Sequence, residues 1–396
     1  METTAACSGL RCTDCGATHE LDAATHRCPG CGGVLELTYD YSVLDLDPVG
    51  LRARPFDGLG RYAELLPFPR ETLVTIGEGT TPLVGASDWA ERLGVERVLL
   101  KDEGANPTGS IADRGATLAV TAAKRHGAAT VALPSTGNAA QAVSAYAARA
   151  GLDVEAFVPS RAIFDAKAMI NVHGGEMSVV GGRLADAIDA FEEAVADEQW
   201  YSLAAFETPY RQDGVKTIGY EIAEQLDWRA PDHVVYPTGN GVGFVGLARA
   251  VRELRELGWI DTAPTIHAVQ PEGCAPIVEA FEDGHAKHEP VEYPDTICGG
   301  LEVADPPASR LMLDAVRESD GSAVATPDAA ILEAAADVAQ SAGVEVGTAG
   351  GAAASGALEL AERGVFGDSE TVVIVNPAAG NKESDVLRSH LMSKGM

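Results

Sequence analysis

The chain has 396 residues, 46% of them hydrophobic, and its 59 acidic and 29 basic side chains give a net charge of −30. This length and hydrophobic content predict two or three domains with sizeable cores. The acidic residues are spread along the chain, and a strongly negative surface repels nucleic acids and anionic membranes. Apolar runs are too short to span a membrane, and the first residues lack the order of a signal peptide. We therefore expect a cytoplasmic protein with neither a nucleic-acid nor a membrane partner.

Four cysteines near the N-terminus form two Cys-x2-Cys pairs. Cys12 and Cys15 form the first pair, Cys28 and Cys31 form the second, and twelve residues separate the two. A glycine follows each pair, so that the backbone can turn tightly beneath a metal ion. Four thiolates at these spacings are typical of a closed tetrahedral zinc site, whereas four unrelated thiols would leave the doubled spacing unexplained. Residues 1–45 are therefore predicted to form a structural zinc ribbon, and its excess of acids over bases disfavours nucleic-acid binding.

Beyond the ribbon, proline, glycine and aromatic residues predict an irregular arm, and short β-branched runs then alternate with longer alanine-rich amphipathic runs. The predicted strands span residues 97–101, 130–133, 153–158, 176–180, 233–236, 265–270 and 371–375. The predicted helices span residues 115–126, 138–150, 183–197, 214–226, 242–256, 327–341 and 351–363. Regular alternation of strands and helices indicates α/β domains with parallel sheets that are covered on both faces.

A polar segment, residues 101–114, joins the first of these strands to a helix. Its sequence is Lys-Asp-Glu-Gly-Ala-Asn-Pro-Thr-Gly-Ser-Ile-Ala-Asp-Arg. The Asn-Pro-Thr-Gly stretch at 106–109 predicts a turn, because proline fixes φ and glycine tolerates positive φ. Ser110 is predicted to cap the helix that follows. Residue 112 would then lie in the first helical turn, where a strand-to-helix loop opens into a cleft.

Three further loops follow predicted strands, and ligands of parallel α/β units bind beyond the carboxyl ends of strands. Residues 135–138, Ser-Thr-Gly-Asn, can hold an anionic group at a helix N-terminus, although ordinary helix starts often have this pattern. Residues 239–243, Gly-Asn-Gly-Val-Gly, can present backbone N–H groups to a phosphate. A dinucleotide is disfavoured there, because no acidic residue ends a following strand at the expected distance. The third loop spans residues 376–382.

These segments resemble the threonine synthase family. The stretch Gly-Glu-Gly-Thr-Thr-Pro-Leu at 77–83 resembles the one that opens the family's fold, and residues 101–114 resemble the pattern K-D-E-x-x-N-P-T-G-S-F-K-D-R. The resemblance extends over residues 10–392. It implies the α/β fold of fold type II (tryptophan synthase β-like) enzymes, which depend on pyridoxal phosphate (PLP), with two domains of parallel sheet and an N-terminal zinc ribbon. It also implies conversion of O-phospho-L-homoserine and water to L-threonine and phosphate.

The resemblance assigns roles to individual residues. By position, Asn138 would contact the PLP ring hydroxyl, and Ser135 and Thr136 would bind the substrate carboxylate. The positions implied to bind the PLP phosphate are Gly239, Asn240, Gly241, Val242 and Gly243. Pro377 stands where the family has a hydroxyl side chain facing the pyridine nitrogen. Ala112 stands where the family has the lysine that forms a covalent bond to PLP and transfers protons. An alanine side chain can do neither, and the proline at 377 cannot form the pyridine contact.

The predicted domain organisation follows the same resemblance. Residues 1–45 form the zinc ribbon, and residues 46–100 form the arm and the first part of the large domain. Residues 101–212 form a smaller α/β domain that contains the Ser-Thr-Gly-Asn loop, and residues 213–396 form the large α/β domain with the phosphate loop. The sequence does not determine the oligomeric state, and a homo-oligomer is one of the states it allows.

The missing lysine leaves several interpretations open. The chain is either a threonine synthase or a non-catalytic relative that binds PLP, weakly and without a covalent bond, or an amino-acid ligand. A chain in which lysine was exchanged for alanine to trap ligands is a further alternative, against which Ile111 and Pro377 count as additional departures. A nucleic-acid-binding ribbon protein is disfavoured by charge. Lys101 could face the cleft, but a strand residue lacks the direction of a first-turn side chain, and the other lysines are mostly expected on solvated helix faces.

Dispersed acidity with few lysines is typical of a protein kept soluble at high salt, where screening removes most of the self-repulsion between acidic groups. The melting temperature of the chain should therefore rise as KCl increases from low to molar concentration. Scanning calorimetry across a salt series measures this. A melting temperature that stays constant or falls would mean that the charges are already paired.

Overall fold

The computed structural model describes residues 2–21 and 26–395 and divides the chain into two compact units. The first unit contains the residues up to Thr80 together with Ala112–Ile218. The second unit contains Thr81–Ile111 and the chain from Gly219 onward. In these described ranges, no helix combines the length and the apolar character needed to cross a lipid bilayer.

The regular elements alternate along most of the chain. The strands are β1 (Cys7–Cys12), β2 (Thr18–His19), β3 (Leu35–Tyr39), β4 (Leu83–Gly85), β5 (Arg97–Asp102), β6 (Thr130–Pro134), β7 (Asp153–Pro159), β8 (Glu176–Val180), β9 (Tyr201–Ser202), β10 (His233–Pro237), β11 (Thr265–Pro271), β12 (Ala323–Thr326) and β13 (Thr371–Asn376). The α-helices are α1 (Pro48–Arg52), α2 (Ser87–Leu93), α3 (Ala112–Arg125), α4 (Asn138–Ala150), α5 (Phe164–Val172), α6 (Leu184–Asp197), α7 (Tyr210–Val215), α8 (Thr217–Gln225), α9 (Val242–Glu256), α10 (Pro276–Glu282), α11 (Ser309–Glu318), α12 (Asp328–Ala342), α13 (Thr348–Glu362) and α14 (Ser384–Ser393). Short 3-10 segments lie at Tyr41–Val43, Gly58–Leu65, Arg70–Thr72, Glu103–Ala105 and Gly380–Glu383.

The first unit combines the ribbon with a parallel sheet. In the ribbon, β1 lies between β2 and β3 and is antiparallel to both. The parallel sheet has the strand order β8-β7-β6-β9. Three consecutive residues of β6, from Val131 to Leu133, are buried, as expected for a strand that is covered on both faces. Leu10 and Leu35 of the ribbon belong to the same apolar core as Val131 and Leu133, so the ribbon is packed onto its unit.

The second unit is built on a six-stranded sheet with the order β12-β11-β10-β13-β5-β4. Its strands are parallel except for the edge strand β4, which runs antiparallel to β5. Val235, Val372 and Ile374 fill the core between the sheet and its helices. Because β10, β13 and β5 are neighbours and parallel, the loops that follow them leave the sheet at the same edge. This edge is where parallel α/β folds bind ligands.

Every predicted strand is present, and each begins and ends within one residue of its predicted bounds. Most predicted helices are also confirmed, but the one predicted at 214–226 is interrupted. It divides into α7 and α8 at Lys216, whose ammonium is buried against Asp213 at 3.0 Å. The pair joins residues that are three apart in sequence, and amphipathic periodicity does not show that both charges are buried. The short strands β4, β9 and β12 and the helices α2, α5, α10, α11 and α14 were not predicted.

Two buried histidines form a hydrogen-bonded chain in the second unit. The N–H of Ser322 donates to Nδ1 of His267 at 3.1 Å. Neutral His267 therefore carries its proton on Nε2, which lies 3.0 Å from Nδ1 of His233. Nε2 of His233 in turn donates to the carboxylate of Glu370 at 2.8 Å. Burial, followed by electrostatic interaction with the neighbouring His233, lowers the pKa of His267 to about 3.

The lowered pKa of His267 makes stability depend on pH. Unfolded His267 takes up a proton near its ordinary pKa of about 6.5, whereas the folded side chain stays neutral down to about pH 3. The stabilisation is complete above pH 6.5 and is lost as the pH falls toward 3. Between pH 7.5 and 5 the parent chain should therefore lose about 2 kcal/mol of unfolding free energy that His267→Gln does not lose.

Urea unfolding at the two pH values measures this difference. His285→Gln, a substitution of an exposed histidine, is the matched control and should keep the pH dependence of the parent. Equal pH dependence in the parent and in His267→Gln would contradict the account of the histidine chain.

Candidate cofactor and metal sites

The four ribbon cysteines converge on one point. Their sulfur atoms all lie within 4.8 Å of one another, with 3.5 Å between Cys12 and Cys31 and 3.7 Å between Cys15 and Cys28. A tetrahedral zinc ion with Zn–S bonds of about 2.3 Å separates its sulfurs by about 3.8 Å, so the spacing fits zinc. Gly33 leaves room for the cluster, because a Cβ at this residue would lie 2.8 Å from the sulfur of Cys12.

The electrostatics of the cluster also suit a metal ion. Burial of the Cys12 thiol opposes ionisation, but hydrogen bonds from the backbone N–H groups of Cys15 and Asp14 outweigh it and lower its pKa to about 7. The N–H of Gly33 favours the Cys31 thiolate, yet the neighbouring thiols raise its pKa to about 12. A divalent cation would relieve this mutual repulsion between thiolates.

Ala112 is the first residue of α3, as predicted, and is half-buried. The two charged residues that follow it, Asp113 and Arg114, have no exposed surface. The predicted helix cap at Ser110 is wrong, since this residue instead forms a β-bridge with Ala378 and its hydroxyl has no hydrogen-bond partner in the described part of the chain. The helix start that presents residue 112 is therefore formed, but residue 112 has only a methyl group.

Lys101 is the centre of a buried polar network at the end of β5. Its Nζ donates to Oε2 of Glu221 at 2.9 Å and to the carbonyl oxygen of Thr81 at 2.9 Å. A third hydrogen bond of 3.0 Å reaches Oε1 of Gln225. An ammonium group has three N–H donors, so these contacts use all of them. The side chain has no exposed surface, and the prediction that it could face a cleft is wrong.

A second buried carboxylate extends this network to the turn before residue 112. Oε1 of Glu103 accepts a hydrogen bond of 2.6 Å from the hydroxyl of Thr81, and its Oε2 accepts one of 2.8 Å from Asn106. Asn106 begins the Asn-Pro-Thr-Gly turn. The network therefore fixes the position at which the turn leaves the sheet.

The loop after β13 holds the other end of the same turn. The N–H of Ile111 donates to the carbonyl oxygen of Pro377 at 2.8 Å, and the N–H of Ala379 donates to the carbonyl oxygen of Gly109 at 3.0 Å. Pro377 thus takes part through its main chain, and its side chain offers neither a donor nor an acceptor.

Two further lysines are buried, contrary to the expectation of solvated helix faces. Nζ of Lys382 donates to the carbonyl oxygen of Thr108 at 2.8 Å, within the turn before residue 112. Lys216 is paired with Asp213 and lies 4.0 Å above the ring of Tyr39. Both ammonium groups are engaged in structural contacts.

The Ser-Thr-Gly-Asn loop begins α4 in the first unit. The hydroxyl oxygen of Ser135 accepts hydrogen bonds from the N–H groups of Gly137 at 3.0 Å and of Ala140 at 3.1 Å. It caps the helix, and only its own proton is left for donation to a ligand. Thr136 is half-buried. Oδ1 of Asn138 is buried and has no hydrogen-bond partner among the described residues.

The glycine loop of the second unit leads from β10 into α9. Oδ1 of Asn240 accepts a hydrogen bond of 3.0 Å from the N–H of Val242. Gly241 has a φ of 88°, and a Cβ at Gly243 would lie 1.8 Å from the hydroxyl of Tyr236. The glycines thus let the loop pack closely against its own unit, which the sequence alone did not predict.

This packing leaves donors at the start of α9 without acceptors. Within the described chain, the backbone N–H groups of Gly239, Asn240 and Gly241 donate to no protein group. The buried hydroxyl of Thr238 also has no hydrogen-bond partner there. Unpaired N–H groups at a helix N-terminus are typical of a phosphate-binding loop.

The residues predicted from the sequence are divided between the units. Ala112, Ser135, Thr136 and Asn138 belong to the first unit, where Ala112 and Asn138 begin the neighbouring helices α3 and α4. The five residues of the glycine loop and Pro377 belong to the second, at the ends of the paired strands β10 and β13. Sequence reasoning missed Glu221 and Gln225, because helix periodicity gives no sign that a buried lysine lies opposite.

The comparisons with known proteins first define the class. Residues 74–378 match the family described as pyridoxal-phosphate dependent enzyme. The chain has the fold of maize serine racemase, with a TM-score of 0.67 and 19% identity over 80% of this chain and 94% of that one. Its fold is also similar to that of threonine deaminase isoform 2 of Solanum lycopersicum, with a TM-score of 0.66 and 22% identity. This similarity covers 78% of this chain and 82% of the deaminase chain. The fold is that of fold type II PLP enzymes.

Relatives of higher identity define the family within this class. The chain is 38% identical to the threonine synthase of Methanosarcina acetivorans, over 92% of this chain and 90% of the relative. It is 35% identical to the threonine synthase of Methanocaldococcus jannaschii, over 95% and 93% of the two chains. The chain belongs to the threonine synthase family.

The cysteine geometry predicts one tightly held zinc ion per chain. Elemental analysis after dialysis against a weak chelator should find about one zinc per chain, and Cys12→Ser should lower this content and the melting temperature together. Cys274, a buried thiol outside the cluster, supplies the control, since Cys274→Ser should leave the zinc content unchanged. A parent chain that is folded but free of metal would show that the cysteines are structural thiols.

Proposed function

We propose that this threonine synthase-like protein binds PLP and an amino-acid ligand without a covalent bond to the cofactor, and that it does not form threonine at an enzymatic rate. The observation that carries the proposal is the combination of an available phosphate loop with Ala112 at the lysine position. The family relationship supports PLP as the cofactor.

The residues present fit the phosphate and the ring of PLP. The unpaired N–H groups of Gly239, Asn240 and Gly241 would hold the phosphate without a lysine, and Val242 and Gly243 continue this site into the first turn of α9. The unpaired Oδ1 of Asn138 provides an acceptor for the ring hydroxyl. The pyridine nitrogen would find no side-chain partner at Pro377. Binding is therefore expected to be reversible and weaker than in a protein with the lysine and the hydroxyl.

None of the three buried lysines among the described residues is available to replace the missing amine, since Lys216 is paired with Asp213. The ammonium of Lys101 has its three donors committed, and removing it would take a cation away from the buried carboxylate of Glu221, at a cost of about 3–5 kcal/mol. Lys382 is tied to the carbonyl oxygen of Thr108. Reassigning either lysine to the cofactor would break the turn that presents residue 112.

The chemistry of threonine formation depends on the lysine that is absent here. PLP supplies an electron sink for negative charge on the carbons of a bound amino acid. The protein must add and remove protons at those carbons, and loss of a general acid–base group alone lowers a rate by about 10²–10⁴-fold. The methyl group of Ala112 can do neither. Ser135 and Thr136 would still bind an amino-acid carboxylate, and we expect the chain to retain such a ligand.

Restoring the lysine provides the test. The parent chain should bind PLP with the absorption spectrum of the free aldehyde and should form threonine from O-phospho-L-homoserine near the background rate. Ala112→Lys should produce the absorption band of a lysine-bound cofactor and raise threonine formation by about 10²-fold or more. Adding Pro377→Thr should strengthen PLP binding, because a hydroxyl returns at the position of the pyridine contact.

Ala112→Met is the matched control, since it introduces a side chain of similar length without an amine. It should restore neither the band nor the activity. Substantial threonine formation by the parent chain would instead identify it as a working threonine synthase and would overturn the non-catalytic proposal.

A further inference from the structure

A cavity lies within the first unit. It has a volume of about 860 Å³ and is formed by residues 56–80 of the arm and by Arg149 of α4. This volume is in the range of about 300–1,000 Å³ that is typical of small-molecule sites. The cavity contains none of the residues assigned to PLP, to the amino-acid substrate or to zinc, so it is separate from the sites described above.

Two arginines in the cavity are held in place by the protein. Arg70 forms an ion pair with Asp57, and its side chain lies against Gly60, where a Cβ would stand 3.1 Å from Cγ of the arginine. Nε of Arg149 donates to the carbonyl oxygen of Thr75 at 2.8 Å. The terminal nitrogens of Arg149 have no partner in the described chain and line the cavity. They offer N–H donors of the kind that bind a carboxylate.

The other residues that line the cavity provide a carboxylate and an apolar surface. The carboxylate of Glu71 is exposed and has no partner among the described residues. Phe56 is 64% exposed, and its ring is supported by the guanidinium of Arg61 at 4.1 Å from the ring centre. Arg61 itself is 1% exposed, and Ile76, 39% exposed, adds a second apolar surface. The aromatic ring is thus a supported platform that faces the cavity.

From this lining we infer that the cavity binds a free α-amino acid with an apolar or aromatic side chain. Arg149 would hold the carboxylate, Glu71 the ammonium group, and Phe56 and Ile76 the side chain. The lining has two basic and two acidic side chains, whereas the whole chain carries a net charge of −30. A local balance of charges suits a zwitterion better than a multiply charged anion, which the rest of the surface would repel.

An occupant of this cavity would contact the segment by which the chain leaves the first unit. Thr75, Ile76, Gly77 and Thr80 line the cavity, and the chain enters the second unit at the next residue. The hydroxyl of Thr75 and the N–H of Ile76 both donate to the buried carboxylate of Glu78, at 2.9 and 3.1 Å. Thr80 has a φ of 55°, which is strained for a β-branched residue. The ligand would therefore stabilise a strained segment that connects the two units.

Isothermal titration calorimetry of the full chain without PLP tests the inference, with L-phenylalanine as the probe. We expect saturable binding with one site per chain. 3-Phenylpropionate lacks the ammonium group, 2-phenylethylamine lacks the carboxylate, and glycine lacks the side chain. Each should bind at least about 10-fold more weakly, because each leaves one part of the lining without a partner.

Arg149→Gln and Glu71→Gln should each weaken L-phenylalanine binding at least about 10-fold, whereas Arg363→Gln, which removes an exposed arginine outside the cavity, should not. Phe56→Ala, a change at a side chain that is 64% exposed, should also weaken L-phenylalanine binding. PLP binding, followed by absorbance, should be the same in all four variants. This separates the cavity from the cofactor site. The inference would be overturned if L-phenylalanine did not bind to the parent chain. It would also be overturned if the Arg149 and Glu71 variants bound L-phenylalanine as tightly as the parent does.

Discussion

The ion pair between Lys101 and Glu221 is the interaction on which the rest of the candidate site depends. It is buried, and the lysine also holds the main chain of Thr81, so that β5, the segment before β4 and α8 are fixed together. Glu103 joins the same network and fixes Asn106, at the start of the turn before residue 112. Removing one member of a buried charge pair costs about 3–5 kcal/mol, because the partner is left uncompensated. The network therefore stabilises the turn independently of any amine at residue 112.

This separation between scaffold and chemistry explains the combination of features in the chain. The residues that shape the turn and cap α4 have structural partners, and the N–H groups at the start of α9 are available to a phosphate. The residues that would perform chemistry on the cofactor, at positions 112 and 377, have side chains without proton-transfer or hydrogen-bonding groups. A protein of this kind can keep a binding function, since binding requires the scaffold and not the amine.

Much of this fold could be predicted from the sequence, because its local signals agree with its tertiary structure. The β-branched strands and the alanine-rich helices showed their periods clearly, and the spacing of the ribbon cysteines predicted their convergence. The roles of Lys101 and Lys382 could not be predicted, since a buried lysine requires partners that are distant in sequence: Glu221 is 120 residues from Lys101, and Thr108 is 274 residues from Lys382. The glycines of the phosphate loop were attributed to ligand binding alone, whereas Gly243 is also required by the hydroxyl of Tyr236.

The most direct test of the central claim is to identify which lysines react with PLP in the unmodified chain. The chain would be incubated with an equimolar amount of PLP, reduced with borohydride, digested and mapped by mass spectrometry. The account predicts that Lys101 and Lys382 remain unmodified, and that any trace of modification falls on exposed lysines such as Lys394. Stoichiometric modification of Lys101 or Lys382 would show that another amine has taken over the cofactor, and would contradict the view that these lysines only support the scaffold.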